Sequence, residues 1–217
     1  AIDIALRALV GPGDEVLVPQ PSYVSYSPSV IFAGGTPVGV ETTADTEFRL
    51  TPEALRAAIT PRTKCLILPY PNNPTGGIME KVDLEKIAQV VRETGILVIS
   101  DEIYGELTYG DRTHISFASL PDMWQYTITL NGFSKAFAMT GWRLGWLAAA
   151  TSVIAEIVRG GLNGVAKGQF EAGYAQGFNT AEVLLYIVLP QAYRNIVPTL
   201  LSQVITTIKD SSYLANV

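Results

Sequence analysis

An α/β fold built on a mostly parallel sheet is predicted by three features of the sequence. Short apolar runs alternate with amphipathic helical stretches through the first 150 residues. Two of those runs, Cys65-Leu66-Ile67-Leu68 and Ile96-Leu97-Val98-Ile99, are continuously apolar, as strands covered on both faces are. Glycine and proline clusters punctuate the changes of pattern. Residues 1–10 read as the end of an amphipathic helix stopped by Gly11-Pro12-Gly13, and residues 15–19 as a short strand. Residues 22–33 form a helix ahead of Gly34-Gly35. Thr51 caps the next helix, with Pro52 at its first position. A strand over residues 64–68, a helix over 83–93 stopped by Gly95 and a strand over 96–100 follow. Residues 127–130 and 144–148 supply two more strands.

The chain has 217 residues, 48% of them hydrophobic, and a net charge of −5. That length suits one large domain or two small ones. Phosphate neutralisation needs clustered Lys and Arg, so the acidic balance argues against a nucleic-acid partner. Cys65 is the only cysteine, which excludes an intramolecular disulfide, and its apolar neighbours mark it as a buried thiol rather than a nucleophile. There is no basic leader ahead of an apolar stretch and no run of 18 uncharged apolar residues, so a cytoplasmic location is expected. A start on Ala1 rather than Met suggests a truncated amino end.

The pattern changes near residue 150. Residues 1–150 hold 11 Lys+Arg and 16 Asp+Glu, whereas residues 151–217 hold 4 of each and read as helices only. Two domains, 1–150 and 151–217, are therefore expected, joined between Ala148 and Val153.

The polar residues at strand ends in the first domain carry the chemistry. Lys135 follows an apolar strand in Gly132-Phe133-Ser134-Lys135, and a strand-end lysine can form a Schiff base with an aldehyde. Arg143, in Gly141-Trp142-Arg143-Leu144-Gly145, offers a planar fork suited to phosphate. Asp101 sits at the carboxyl end of a buried strand, where open α/β sheets bind ligands, and suits a protonated pyridine nitrogen. Tyr104 is three residues on, within reach of a ring hydroxyl. Asn73 lies in Pro71-Asn72-Asn73-Pro74-Thr75-Gly76 after another strand, and Tyr23 offers a flat face for stacking. Taken singly, each residue more commonly serves a turn, a surface or a core; their order and spacing set them apart.

The stretch from Gly132-Phe133-Ser134-Lys135 to Arg143-Leu144-Gly145 resembles the lysine signature of class I/II aminotransferases, fold-type-I pyridoxal-phosphate enzymes. Asn73-Pro74-Thr75-Gly76 and the Asp101/Tyr104 pair fit the same family, and the resemblance covers about residues 1–150. It implies the incomplete three-layer large domain of that fold, pyridoxal 5'-phosphate as cofactor, a homodimer, and amino-group transfer between an amino acid and a 2-oxo acid. The same core also serves carbon–sulfur lyases. Lys135 would hold the cofactor as a Schiff base and shuttle a proton between the substrate α-carbon and the cofactor C4′. Asp101 would bind the pyridinium, Asn73 and Tyr104 the ring O3′, and Arg143 the phosphate, with Tyr23 stacked on the ring. The family often has serine where this chain has Gly132, and Ser134 partly replaces that hydroxyl. The family's phosphate-cradling helix start and its small domain, with the arginine for the substrate carboxylate, are not found, so weak cofactor retention and negligible turnover are expected.

Residues 153–217 resemble the Glu-Ala-Ala loop region of permease subunits of bacterial ABC amino-acid importers. The resemblance rests on Glu171-Ala172-Gly173, Gly177, Ile187 and Leu189-Pro190. It implies a loop, Glu171, Ala172 and Gly177, that docks on a transporter ATPase, an inner-membrane location and part of a membrane helix over residues 196–217. A chimera of two genes joined near Thr151 is the corresponding expectation.

Overall fold

The computed structural model describes residues 1–150 and 167–191. The chain divides into two compact units, Ala1–Val153 and Ile154–Val217.

In the first unit, helix α1 (Ile2–Leu9) leads through Gly11-Pro12-Gly13 into strand β1 (Glu15–Gln20). Helix α2 (Tyr26–Phe32) and strand β2 (Thr36–Glu41) follow, then α3 (Pro52–Ala58), β3 (Thr63–Pro69), α4 (Lys81–Thr94), β4 (Leu97–Asp101), β5 (Thr127–Gly132) and β6 (Gly145–Ala149). The strands form one sheet in the order β2-β1-β3-β4-β5-β6. All neighbours are parallel except β5 and β6, which pair antiparallel with Gly132 opposite Gly145. Consecutive side chains of a strand face opposite sides. Cys65, Leu66, Ile67 and Leu68 are all buried, so both faces of the sheet centre are covered, as their unbroken apolar run predicts. One core joins Leu17, Leu66, Leu68 and Val98 to Leu84, Ile87 and Val91 of α4. Burial pushes the Cys65 thiol up to about 12, which suits a packing role rather than a nucleophilic one.

The helix ends follow local chemistry. The Thr51 hydroxyl accepts the Ala54 N–H at 3.2 Å, with Pro52 at the first helical position. Glu80 and Asp83 form a reciprocal cap on α4, and Gly95, at φ 71°, ends it. Helix α2 is shorter than the expected 22–33. Pro28 lacks an N–H and fits only in a first turn, so the helix starts at Tyr26 and leaves Tyr23 in the loop. Strand β2 escaped the sequence reading because it is a half-exposed edge strand carrying Pro37 and Gly39, residues that belong at edges and weaken the strand pattern.

In the second unit, helix Lys167–Ala175 turns at Gly177, φ 87°, and the chain re-enters helix at Asn179, whose side chain accepts the Glu182 N–H at 3.0 Å. Phe170 and Phe178 pack on Val183 and Val188. A side chain at Gly173 would come within 2.7 Å of Ile187 and 2.9 Å of Val183, so the close approach of the two arms requires glycine there. No helix among the described residues is long and apolar enough to cross a membrane.

Candidate active site

Four parallel strands deliver their carboxyl ends to one edge of the sheet. The loop after β1 carries Tyr23 and the loop after β3 carries Asn73; β4 ends on Asp101, with Tyr104 in the turn beyond it; β5 leads to Ser134 and Lys135. Because β6 runs antiparallel, its start lies at the same edge, and Arg143 immediately precedes it.

Within that edge, the Lys135 Nζ lies 5.3 Å from the centre of the Tyr104 ring, within cation–π reach. Tyr104 and Asn73 line one cleft of about 520 Å³, together with Asn72, Leu107, Tyr109 and Arg112. Asn72 ties the loops together: its amide donates to the Pro21 carbonyl at 2.8 Å and to the Thr75 hydroxyl at 3.0 Å, linking the Tyr23 loop to the Asn73 turn. Tyr23 packs edge-on against Tyr26 with ring centres 5.5 Å apart. The turn between β5 and β6 is held by the Thr140 hydroxyl, which donates to the Ser134 carbonyl at 3.0 Å, while Arg143 donates to the Thr140 carbonyl at 3.3 Å. Arg143 itself adopts φ 52°, a left-handed backbone that turns the chain sharply into β6. A side chain at Gly132 would meet the Leu144 carbonyl at 3.0 Å and Ile103 at 3.2 Å. The close approach of β5 to β6 thus accounts for glycine at that position.

Asp101 is the electrostatic centre. Burial disfavours its charge and pushes its carboxyl above the usual range, partly offset by the Tyr26 hydroxyl, which donates at 2.7 Å, and by the Ile103 N–H at 3.3 Å. Burial, together with the neighbouring Asp101 charge, pushes the Tyr26 phenol well above its ordinary value, so it remains a donor. Sequence reasoning missed Tyr26; the only available signal was its spacing three residues after Tyr23. It also missed Glu102, a buried carboxylate beside Asp101, and His114, the single histidine of the chain.

An amine, a carboxylate, an amide, a phenol and a guanidinium thus converge on one edge of the sheet. Residues 1–175 match the family model described as aminotransferase class I and II. The chain belongs to the class I and II aminotransferases. Enzymes of this class use pyridoxal phosphate. The aspartate aminotransferase of Pyrococcus abyssi is 50% identical over 156 residues, which cover 72% of this chain and 40% of that protein. The aspartate aminotransferase of Pinus pinaster is 41% identical over 197 residues, covering 88% of this chain and 40% of the relative. The crystal structure of an aromatic aminotransferase from Pyrococcus horikoshii superposes with a TM-score of 0.70 at 50% identity, covering 73% of this chain and 43% of that one. The chain thus spans about 40% of the length of these relatives.

The expectation of a permease from residue 151 onward finds no support. The aminotransferase match continues through residue 175 and takes in Glu171 and Ala172, and a match over 88% of the chain reaches past residue 150. The spacing of Glu171, Gly173 and Gly177 arises in a helical hairpin of this packing, with Gly173 at the crossing and Gly177 at the turn. The ATPase partner, the inner-membrane location and the chimera lose their basis with it, and the expected membrane segment at 196–217 lies outside the described residues.

Proposed function

We propose that this sheet edge holds pyridoxal 5'-phosphate and serves amino-group transfer between an amino acid and a 2-oxo acid. The observation that carries the reading is the convergence of Lys135, Asp101, Tyr104, Asn73 and Arg143 at one edge, in a chain of the aminotransferase family. Asp101 would face the ring nitrogen and keep it protonated; the ion pair offsets the cost of its burial. Asn73 and Tyr104, which line one cleft, would donate to the ring hydroxyl. Arg143 would grip the phosphate, with the Ser134 hydroxyl beside it, and Tyr23 would cover one ring face. The bound cofactor supplies an electron sink that stabilises negative charge at the substrate α-carbon. The Lys135 amine would take the proton from that α-carbon and return it to C4′ of the cofactor. A homodimer is expected with this reading.

Borohydride reduction of the full chain mixed with pyridoxal phosphate tests it. The expected result is a stable phosphopyridoxyl mass on the peptide containing Lys135. Labelling spread over surface lysines, with none at Lys135, would overturn the reading.

A second expectation concerns Tyr26. Tyr26→Phe removes a donor to the ionised form of Asp101, which moves that carboxyl further up. Cofactor affinity depends on the ionised form, so its acid limb is expected to move upward in pH. Titrating cofactor affinity against pH in the two proteins checks the sign; a downward move contradicts it.

A further inference from the structure

Beneath the site lies a buried carboxylate that the amino-transfer reading leaves without a role. Glu102 is only 4% exposed. Its Oε1 accepts the Ser100 hydroxyl at 2.8 Å, the Ser116 hydroxyl at 2.9 Å, the Phe117 N–H at 3.2 Å and the Tyr70 hydroxyl at 3.4 Å. Its Oε2 lies 2.9 Å from His114 Nε2. Tyr70, itself buried, packs its ring against His114 with centres 5.0 Å apart. Burial alone would raise the Glu102 carboxyl, but the His114 and Ser100 hydrogen bonds, the His114 charge and the Ser116 hydroxyl outweigh it and hold it below the usual range. An ionised carboxylate only accepts, so Nε2 of His114 must carry the proton between them.

The position of these groups in the chain gives the cluster its meaning. Glu102 directly follows Asp101 and lies two residues before Tyr104; Tyr70 lies three residues before Asn73. The backbone ladder between β3 and β4 closes with the Tyr70 N–H donating to the Asp101 carbonyl at 3.3 Å. Beyond that bond the two strands part into separate turns, one carrying Asn73 and the other Tyr104. Hydrogen bonding through Tyr70 and Glu102 takes over where the ladder ends and ties both turns to the segment 114–117. Facing Glu102 are Tyr70 from the end of β3, Ser100 from β4 and His114 and Ser116 from that segment; Asp101 is the neighbouring carboxylate.

We infer that Glu102 is a positioning residue of the cofactor site, setting the spacing between the turn that bears Asn73 and the end of β4, with Asp101 as its last residue and Tyr104 in the turn beyond. The inference rests on the cofactor reading above and assigns Glu102 no contact with the cofactor. A ring gripped at its nitrogen by the strand end and at its hydroxyl by two turns is sensitive to that spacing, since displacements of an ångström at a reacting site carry large penalties.

The test is spectroscopic, on the full 217-residue chain with added pyridoxal phosphate. The visible absorbance reports both affinity and the pH midpoint of the absorbing group, which depends on the contacts at the ring. Glu102→Gln keeps the shape but turns an amide N–H₂ toward buried donors. It is expected to weaken affinity by about tenfold and to move the midpoint. Tyr70→Phe keeps the ring against His114, deletes only the hydroxyl, and is expected to move the midpoint in the same direction with circular dichroism unchanged. If Glu102→Gln does not fold, Tyr70→Phe decides alone. An affinity within about twofold of the unmodified chain, with an unmoved midpoint in the folded variant, overturns the inference and leaves the cofactor reading intact. Absence of a visible band in the unmodified chain overturns the cofactor reading, and this inference with it.

Discussion

Lys135→Ala is expected to abolish the visible absorbance formed with pyridoxal phosphate and to remove the reducible cofactor mass from the chain. The residue supplies a side-chain amine to the set of groups that converges on the sheet edge, and it lies against Tyr104, which shares its cleft with Asn73. On the proposed reading two functions would be lost together: the covalent link, and the base that moves the proton at the substrate α-carbon. General acid–base catalysis alone is worth about 10² to 10⁴ in rate. Exchange of the α-proton of an added amino acid for deuterium, followed by nuclear magnetic resonance, is expected to fall by at least about a hundredfold. Retention of exchange at the unmodified rate would show that another base works here. The alanine leaves folding almost untouched, because Lys135 is exposed and holds no part of the core.

Asp101→Asn is expected to give the second-largest effect. The substitution preserves size but removes the charge that would balance a protonated ring nitrogen. Leaving one partner of a buried ion pair uncompensated costs about 3–5 kcal/mol, which is on the order of a hundredfold or more in affinity. The effect on the protein without cofactor has the opposite sign. Burial raises the Asp101 carboxyl above its unfolded value, so its charge costs stability, and that cost grows as pH rises from the unfolded to the folded value. Asparagine carries no such cost. The variant is therefore expected to be at least as stable as the parent at neutral pH while binding cofactor far more weakly. Thermal melts with and without pyridoxal phosphate separate the two: the cofactor raises the melting temperature of the parent and leaves that of the variant unmoved. An equal rise in both would remove Asp101 from the site.

What could be read in the sequence divides along a physical line. Elements whose signal is local were legible. Thr51-Pro52 starts α3, Gly95 ends α4, and the unbroken apolar runs at residues 65–68 and 96–99 mark β3 and β4. Strand β2 was not legible, because an edge strand with proline and glycine lacks the alternation that marks a strand. The strand-end residues gathered at one edge, from Asn73 to Arg143, could be named because strand ends are visible in sequence. Tyr26 and the Glu102 cluster could not, because their significance lies in contacts that span long stretches of chain: Tyr26 and Asp101 are 75 residues apart, and Tyr70 and Glu102 are 32. The permease resemblance found no support for a related reason: a short run of small residues around a turn serves any tight helical crossing, such as that of Gly173 with Val183 and Ile187 here.

The antiparallel placement of β6 sets where the chain can vary without disturbing the edge. The parallel strands reach that edge with their ends, whereas β6 reaches it with its beginning, so Lys135 and Arg143 are bracketed between two paired strands. The pairing of Gly132 with Gly145 closes the bracket, so the spacing of the amine and the guanidinium is set by this one ladder and the turn it encloses.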